Sequence, residues 1–339
     1  MRSLGFFNKI VFVGNVIFSF LLLVGYLLPY IPPRVFPEIS VLTLVLPALI
    51  ILNLLFLTYW VIFLKKQFLL SAVVLILGFF QHATLYEFYG KSEEASGSFK
   101  IMSYNVRMFN INKPLKDNEI PSKISTLVHK EDPDIMLFQE YTSAVNFPMG
   151  KFKHKYVKLK GKHSNSFGLA IFTKYKIINK GSLDFPNSSN NGIYVDILKG
   201  KDTLRIYNLH MQSLALQPEI GELRQENSKK LLGRLGEAFK QQQQQAEIFL
   251  AHQAKCPYTI ILGGDFNNTA FSFAYKKIRG DKLDAFEEAG SGFGRTFIFD
   301  FIPLRIDFLL CDDSIQVLGF KNFKQEYSDH YPILAKMQF

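Results

Sequence analysis

Carboxylate, carboxamide and imidazole side chains stand at the ends of apolar segments in this sequence. In residues 260–267 (IILGGDFN) an apolar run ends in two glycines and is followed by Asp265 and Asn267. Residues two apart in an extended chain point to the same side, so this carboxylate and this carboxamide would face one site. The glycines would let backbone or ligand approach closely. An ordinary strand-to-turn junction is the alternative, because Gly, Asp and Asn also favour turns.

Six further polar residues interrupt apolar segments in the same way. Asp329 and His330, in SDHYP, offer a hard oxygen ligand and a titratable imidazole side by side. The others are Asn105 in YNVR, Glu140 in LFQEY, His210 in YNLHMQS and Asp307 in RIDFLL. A single buried polar group is more often a satisfied structural group than a ligand. Because burying each one without a partner is costly, the set is best explained as one site.

The segments that carry these residues have the β-branched and aromatic composition of strands. They are FKIMSYNV, DIMLFQEY, FGLAIFTKY, IYVDIL, TLRIYNLHM, YTIILGGDF, RIDFLLCD and YPILAKM. Helices are predicted at residues 120–130 and 219–253. Many strands and few helices predict two sheets packed face to face with helices outside. Strand ends and their loops then meet at one rim, where a rigid scaffold can hold catalytic side chains.

The first 90 residues have a different composition from the rest of the chain. Apolar runs at residues 10–28, 39–64 and 68–86 each meet the length that a membrane-spanning helix needs, roughly 20 residues. They predict an all-α transmembrane region, followed by a polar linker at residues 91–98 (KSEEASGS) and a globular domain at residues 99–339. A cleaved signal peptide is the alternative for the first run.

The basic residues beside these runs predict their orientation. Those on one side are Arg2, Lys9, Lys65 and Lys66, and those on the other are Arg34 and Lys91. The excess favours a cytoplasmic N-terminus. With three crossings the C-terminal domain is then extracytoplasmic, which in a bacterium means periplasmic.

The net charge of +10 is concentrated most visibly in the lysine-rich residues 151–162 (KFKHKYVKLKGK). This cluster could bind a nucleic-acid backbone or an anionic membrane surface. A solvated edge strand, protected from pairing with other chains by its lysines, is the third alternative.

Two further features are predicted to be structural. Residues 241–245 are five consecutive glutamines, which we interpret as a solvated face of the second helix. Cys256 and Cys311 cannot define a disulfide framework and are interpreted as small buried side chains, although a single disulfide is possible in an oxidising compartment.

The order YNVR, QE, GLAIFTKY, NLH, GDFN, RIDFLL and SDHYP resembles that of the endonuclease/exonuclease/phosphatase superfamily, the DNase-I-like fold. The resemblance covers about residues 98–339 and leaves out the apolar N-terminal runs. It implies an α/β (α+β) four-layer sandwich, in which two mainly antiparallel β-sheets are flanked by helices. GDFN and SDH at this separation are its most specific motifs.

The resemblance also implies a divalent metal ion. Glu140 would be the principal Mg²⁺ ligand, aided by Asn105 and Asp329. This all-oxygen set suits a hard cation, and Mn²⁺ is a plausible substitute.

The remaining residues receive catalytic roles from the same resemblance. Asp265 would orient or deprotonate the attacking water, and Asn267 would hold a non-bridging phosphate oxygen. His210 and His330 would donate to phosphate oxygens, with Asp307 fixing the tautomer of His330.

Together these features predict a membrane-tethered hydrolase of phosphate esters that works by in-line attack of water. The predicted partners are the lipid bilayer and a phosphate-ester substrate, either a lipid head group or a nucleic acid; no obligate protein partner is expected. The alternative is a catalytically silent binding module that retains the fold.

Overall fold

The computed structural model describes residues 4–79, 85–111, 117–148, 150–161, 166–215, 227–299 and 302–339. Its first sheet contains β1 (Phe99–Asn105), β2 (Ile135–Tyr141), β3 (His154–Lys160), β4 (Phe167–Thr173), β11 (Gln316–Asn322) and β12 (Ile333–Gln338). The strand order is β11-β12-β1-β2-β4-β3, and only the central pair β1 and β2 is parallel.

The second sheet repeats this plan. Its strands are β5 (Lys176–Ser182), β6 (Asn191–Lys199), β7 (Asp202–His210), β8 (Thr259–Asp265), β9 (Leu283–Asp284) and β10 (Asp307–Cys311). Their order is β5-β6-β7-β8-β10-β9, again with one central parallel pair, β7 and β8. Side chains such as Leu137, Ile171, Ile206 and Ile261 fill the space between the sheets. The predicted sandwich of two mainly antiparallel sheets is confirmed.

Helices cover the outer faces and form the N-terminal region. They are α1 (Phe6–Leu27), α2 (Pro37–Ser40), α3 (Leu46–Ile62), α4 (Phe68–Leu77), α5 (Ile120–Glu131), α6 (Ser228–Gln253), α7 (Phe273–Arg279) and α8 (Ala285–Ala289). The helix predicted at residues 120–130 is α5. The helix predicted at residues 219–253 begins at Ser228, where Asn227 caps it by accepting two backbone N–H groups. The predicted positions 219–226 lie outside the described residues.

Two N-terminal segments, Phe6–Tyr30 and Pro37–Ile62, are long and apolar enough to cross a membrane. A signal sequence or the core helix of a soluble protein would satisfy the same criterion. The third predicted span differs from expectation, because α4 has ten residues and is about 15 Å long, half the thickness of a hydrocarbon core. It ends at Leu77 and its C-cap is Gly78, where a Cβ would collide with the ring of Tyr26. Positions 80–84 of this span lie outside the described residues.

The five glutamines do not form a solvated face, and that interpretation is wrong. Gln242, Gln243 and Gln245 are buried, whereas Gln244 is exposed. The reason is helical periodicity. These positions continue the buried stripe of α6 that includes Phe239 and Phe249. Gln242 and Gln245 contact Gln212 of the catalytic domain, and Gln243 contacts Arg34 of the N-terminal region.

The lysine-rich segment forms β3, which lies at the edge of the first sheet. This arrangement matches the edge-strand interpretation. Cys256 and Cys311 are not bonded to each other; Cys311 is buried, and Cys256 is partly buried. The linker contacts the catalytic domain, because Ser92 forms a β-bridge with Gly319 in β11.

Candidate active site

The sandwich brings all eight predicted residues to one rim. Chain direction explains this, because the carboxyl ends of both central parallel pairs lie there and deliver Asn105, Glu140, His210 and Asp265. The antiparallel strand β10 starts at the same rim with Asp307. The loop that precedes β12 adds Asp329 and His330, and the turn after β8 adds Asn267.

Asp265 is at the centre of this group. Asn105 Nδ2 donates to Asp265 Oδ2 over 2.9 Å, and the Asn267 N–H donates to Asp265 Oδ1 over 2.7 Å. Burial raises the pKa of Asp265 to about 7, with a further contribution from Asp307, against the opposing effects of His330 and the two hydrogen bonds. A carboxyl group with a pKa near neutrality can accept and release a proton under ordinary conditions.

His210 and His330 both approach Asp265, each with Nε2 3.6 Å from Asp265 Oδ2. Burial lowers the pKa of His210 to about 3, helped by the nearby charge of His330, so its imidazole is neutral.

The surroundings of His330 have the opposite effect. Its Nδ1 lies 2.9 Å from Asp307 Oδ2. Burial lowers the pKa of His330, but the charges of Asp307, Asp265 and Asp329 and the hydrogen bond to Asp307 outweigh it and raise the pKa to about 10. His330 is therefore an imidazolium, oriented by Asp307.

An irregularity in β2 turns Glu140 into the rim. The pairing of β2 with β4 shifts register between Phe138 and Tyr141, and Glu140 has a left-handed backbone with φ of 50°. Such bulges re-aim side chains beside active sites. A non-glycine residue in this conformation costs on the order of 1 kcal/mol, which the flanking sheet must offset.

Gly264 is required by the approach of two strands. Its φ is +139°, and a Cβ there would lie 1.9 Å from the carbonyl oxygen of Leu209 in the parallel neighbour β7. No side chain fits against that backbone. Gly264 therefore lets β7 and β8 present His210 and Asp265 side by side.

Glu140, Asp329 and Asn105 could hold a hard divalent cation. Glu140 and Asp329 line one cavity of about 90 Å³. Burial and the charge of Asp329 raise the pKa of Glu140, although His330, Asn105 and Arg107 act in the opposite direction. Arg107 Nη1 lies 3.1 Å from Asp329 Oδ2 and compensates part of the negative charge. Converging oxygen ligands of this kind fit Mg²⁺ or Mn²⁺.

A second group, Asp265, Asp307 and His330, also has its ligand atoms within 4.8 Å of one another. Asp307 Oδ1 is buried without a hydrogen-bond partner among the described residues, which favours a cation there. We nevertheless prefer the Glu140 position, because His330 is cationic and its Nδ1 already interacts with Asp307.

Sequence reasoning missed Gln242, which holds the loop after β8 from outside. Its side chain donates to the Gln212 carbonyl over 2.7 Å and lies 3.4 Å from the carbonyl oxygens of Phe266 and Asn267. It also accepts from Asn268 Nδ2 over 2.7 Å. The sequence does contain a signal for this role, because the spacing of Phe239, Gln242 and Phe249 places Gln242 on the apolar face of the helix.

The two-sheet architecture with this polar rim is that of the DNase-I-like phosphoesterases. Residues 102–330 match the Endonuclease/Exonuclease/phosphatase family, and the chain belongs to that family. This membership supports metal-dependent phosphoesterase chemistry. Residues 8–85 match a domain of unknown function, DUF8431. No curated protein matches the chain.

Solved structures share the fold at low sequence identity. The human Nocturnin catalytic domain has a TM-score of 0.56 and 14% identity, over 71% of this chain and 93% of that one. Humanized D. rerio TDP2 has a TM-score of 0.55 and 15% identity, over 72% of this chain and 100% of that one. A mannosyl-6-phosphatase from Bacteroides thetaiotaomicron has a TM-score of 0.52 and 19% identity, over 71% and 100%.

Proposed function

We propose that the protein is a membrane-tethered phosphoric ester hydrolase that depends on Mg²⁺, with Mn²⁺ as a substitute. The observation that carries this proposal is that a neutral histidine, His210, and a cationic one, His330, both approach the same carboxylate oxygen of Asp265. A proton acceptor and a fixed positive charge then lie within one site. Hydrolysis of a phosphate ester needs both, because the attacking water loses a proton while negative charge accumulates on the phosphoryl oxygens.

Each residue then has a role in an in-line displacement. Asp265 accepts a proton from the attacking water. At the same time the water oxygen forms a bond to phosphorus, and the bond between phosphorus and the ester oxygen breaks. His330, oriented by Asp307, and the neutral His210 donate to phosphoryl oxygens. The Asn267 side chain donates to the Met211 carbonyl over 3.0 Å, which fixes its amide beside the cavity for contact with a phosphate oxygen.

Glu140, Asn105 and Asp329 would hold the cation. When bound, a divalent cation would stabilise negative charge on phosphoryl oxygens.

The distribution of side chains in the N-terminal region supports membrane tethering. Phe7, Phe20 and Ile62 are more than half exposed, at 67%, 63% and 70%. In contrast, polar groups are buried between the helices, where Asn15 Nδ2 donates to Ser71 Oγ over 2.7 Å and Trp60 Nε1 donates to Asn15 Oδ1. An apolar exterior around a polar interior is expected in lipid and is unfavourable in water.

The substrate we favour is a phosphoester carried by a lipid. Tethering at residues 1–90, with a linker at 91–98, would hold the catalytic domain at residues 99–339 close to head groups. A nucleic acid is the second candidate. It is favoured by Lys158 and Lys160, which line a cavity of about 250 Å³ that also reaches His210.

Hydrolysis of bis-p-nitrophenyl phosphate by the purified full chain tests the reaction. We expect turnover with Mg²⁺ or Mn²⁺, loss on chelation, and loss in Asp265→Asn and His330→Gln. The matched controls are Asp202→Asn at the exposed first residue of β7, and His129→Gln on the exposed face of α5. Background rates in the wild type would favour the binding-module alternative. Lipid vesicles and single-stranded DNA then compare the two substrate classes.

A reporter fused after Phe339 tests the orientation. The proposal of a cytoplasmic N-terminus and three crossings places the reporter outside the cytoplasm. If only α1 and α3 cross, the reporter is cytoplasmic, so activity of a cytoplasmic reporter would overturn the proposed location.

A further inference from the structure

The connection between α1 and α3 lies against the catalytic domain. The Arg34 N–H donates to the side-chain oxygen of Gln243 in α6 over 3.0 Å. Further along, Thr269 Oγ1, in the loop after β8, lies 3.5 Å from the carbonyl oxygen of Thr43. The N-terminal region is therefore packed beside the loop that follows Asp265.

Leu44 extends this contact into the catalytic pocket. It packs against an apolar cluster that contains Leu214 and Phe239. It also lines the cavity of about 90 Å³ that contains Asp265 and His330. One wall of the catalytic pocket is thus supplied from outside the family domain, by a residue more than 50 positions before its first strand.

The cavity is lined by two chemically different kinds of side chain. The catalytic and metal-binding groups described above supply the polar lining. Leu44, Leu214, Phe297, Leu304 and Ile306 supply the apolar lining. Phe297 also packs edge-on against the His330 ring, with centroids 4.9 Å apart, so apolar surface begins directly beside the reacting groups.

We propose that Leu44 is a specificity-determining residue, through which the N-terminal region selects phosphoesters that carry an apolar group next to the scissile phosphate. This inference rests on the proposed hydrolase function and narrows its substrate class. A hydrated substituent would leave Leu44 and its apolar neighbours in contact with water. An alkyl substituent would bury its own apolar surface and that of Leu44 together, which is favourable.

The size of the expected preference follows from apolar transfer. A fully buried methylene is worth up to about a fourfold gain in affinity, so partial burial should give on the order of twofold in kcat/KM for each added methylene. The gain should level off when the chain outgrows the cavity.

The kinetic test uses the full chain in lipid nanodiscs and p-nitrophenyl alkyl phosphates from methyl to hexyl. These chains are short enough to stay soluble, and each reaction releases nitrophenol as water attacks phosphorus. Leu44→Asn keeps the branched shape of the side chain in a smaller volume and replaces its methyl groups with polar atoms. Val45→Thr makes the same kind of change at the exposed neighbouring position, which does not line the cavity.

We expect kcat/KM of the wild type and Val45→Thr to rise with chain length, mainly through KM. In Leu44→Asn the rise should flatten, and Leu44→Met should restore it. A Leu44→Asn variant that hydrolyses the methyl ester and keeps the wild-type dependence on chain length would overturn the proposal. So would a wild type that treats methyl and hexyl esters alike.

A binding measurement separates this inference from the proposed function. Alkylphosphonates of the same chain lengths, which cannot be hydrolysed at the P–C bond, are titrated in the presence of Mg²⁺. Binding that strengthens with chain length and is weakened by Leu44→Asn supports the apolar wall even if no turnover is found. If binding does not depend on chain length, the proposed role of Leu44 is overturned, whether or not the protein hydrolyses phosphoesters. Leu44→Met provides the same comparison if Leu44→Asn does not fold.

Discussion

His210 and His330 approach the same oxygen of Asp265, each with Nε2 at 3.6 Å, yet their pKa values move in opposite directions. The pKa of His210 falls to about 3, and that of His330 rises to about 10. Part of the difference has a local cause, because Asp307 Oδ2 lies 2.9 Å from Nδ1 of the His330 ring. Asp265 and Asp329 add to the effect of Asp307 on His330, whereas burial and the charge of His330 keep His210 neutral.

The first prediction is that His330 and Asp307 act as a unit. His330→Gln should lower kcat by about 100- to 1,000-fold, the usual cost of removing one donor to a developing oxyanion. Because Asp307 acts through His330, adding Asp307→Asn to that variant should change kcat by no more than about threefold. Steady-state kinetics on bis-p-nitrophenyl phosphate measure both values. Multiplicative losses in the double variant would mean that Asp307 contacts the substrate or metal independently.

The second prediction concerns the pH dependence of stability in the metal-free protein. Below about pH 6.5 the unfolded chain protonates His210, but the folded protein does so only near pH 3. The unfolded state therefore binds more protons in this window, and the free energy of unfolding falls as the pH drops, by at most about 1.4 kcal/mol per pH unit. Thermal melting in EDTA between pH 7.5 and 4.5 should show a shallower decline for His210→Gln.

His330 should behave in the opposite way. Its folded pKa is raised, so its contribution to stability is complete below about pH 6.5 and is lost as the pH rises through about 10. His330→Gln should therefore cost more stability at pH 6 than at pH 10. Parallel melting curves for both variants would contradict the assigned charge states, and His129→Gln controls for loss of a histidine as such.

The fold was largely predictable from the sequence because each strand can be recognised from its own residues. All eight predicted strands are present, since their composition and polar ends do not depend on distant residues. The predicted site residues meet because strand ends converge on one rim. The support of the catalytic loop by Gln242 and the position of Leu44 in the cavity could not be predicted in this way. Each depends on which part of the chain packs against the loop after β8, and Leu44 lies more than 200 positions from that loop.

The third prediction distinguishes the two candidate metal positions. Mg²⁺ should raise the melting temperature of the wild type, by an amount equivalent to about 2.7 kcal/mol when its concentration is 100 times its Kd. Glu140→Gln should remove most of this stabilisation, and Asp307→Asn should retain it. Equal loss in both variants, or loss in Asp307→Asn alone, would place the cation between Asp265, Asp307 and His330 instead. Asp202→Asn is the matched charge control.

The fourth prediction assigns a positioning role to Gln242. Gln242→Ala removes the donor to the Gln212 carbonyl and leaves the buried amide of Asn268 without its acceptor. The expected cost is about 1–3 kcal/mol in the free energy of unfolding. Because the same side chain lies against the backbone of Asn267, kcat should also fall, by roughly tenfold, while KM changes little.

Gln244→Ala is the control for Gln242→Ala, because Gln244 lies in the same glutamine run on the exposed face of α6. It should change stability by less than about 0.5 kcal/mol and leave kcat unaltered. Thermal melting and steady-state kinetics on both variants measure the difference. A purely structural role would lower the melting temperature of Gln242→Ala without changing kcat at a temperature where the variant is folded. A fall in kcat under those conditions requires that the glutamine run, through Gln242, holds the catalytic loop in its working geometry.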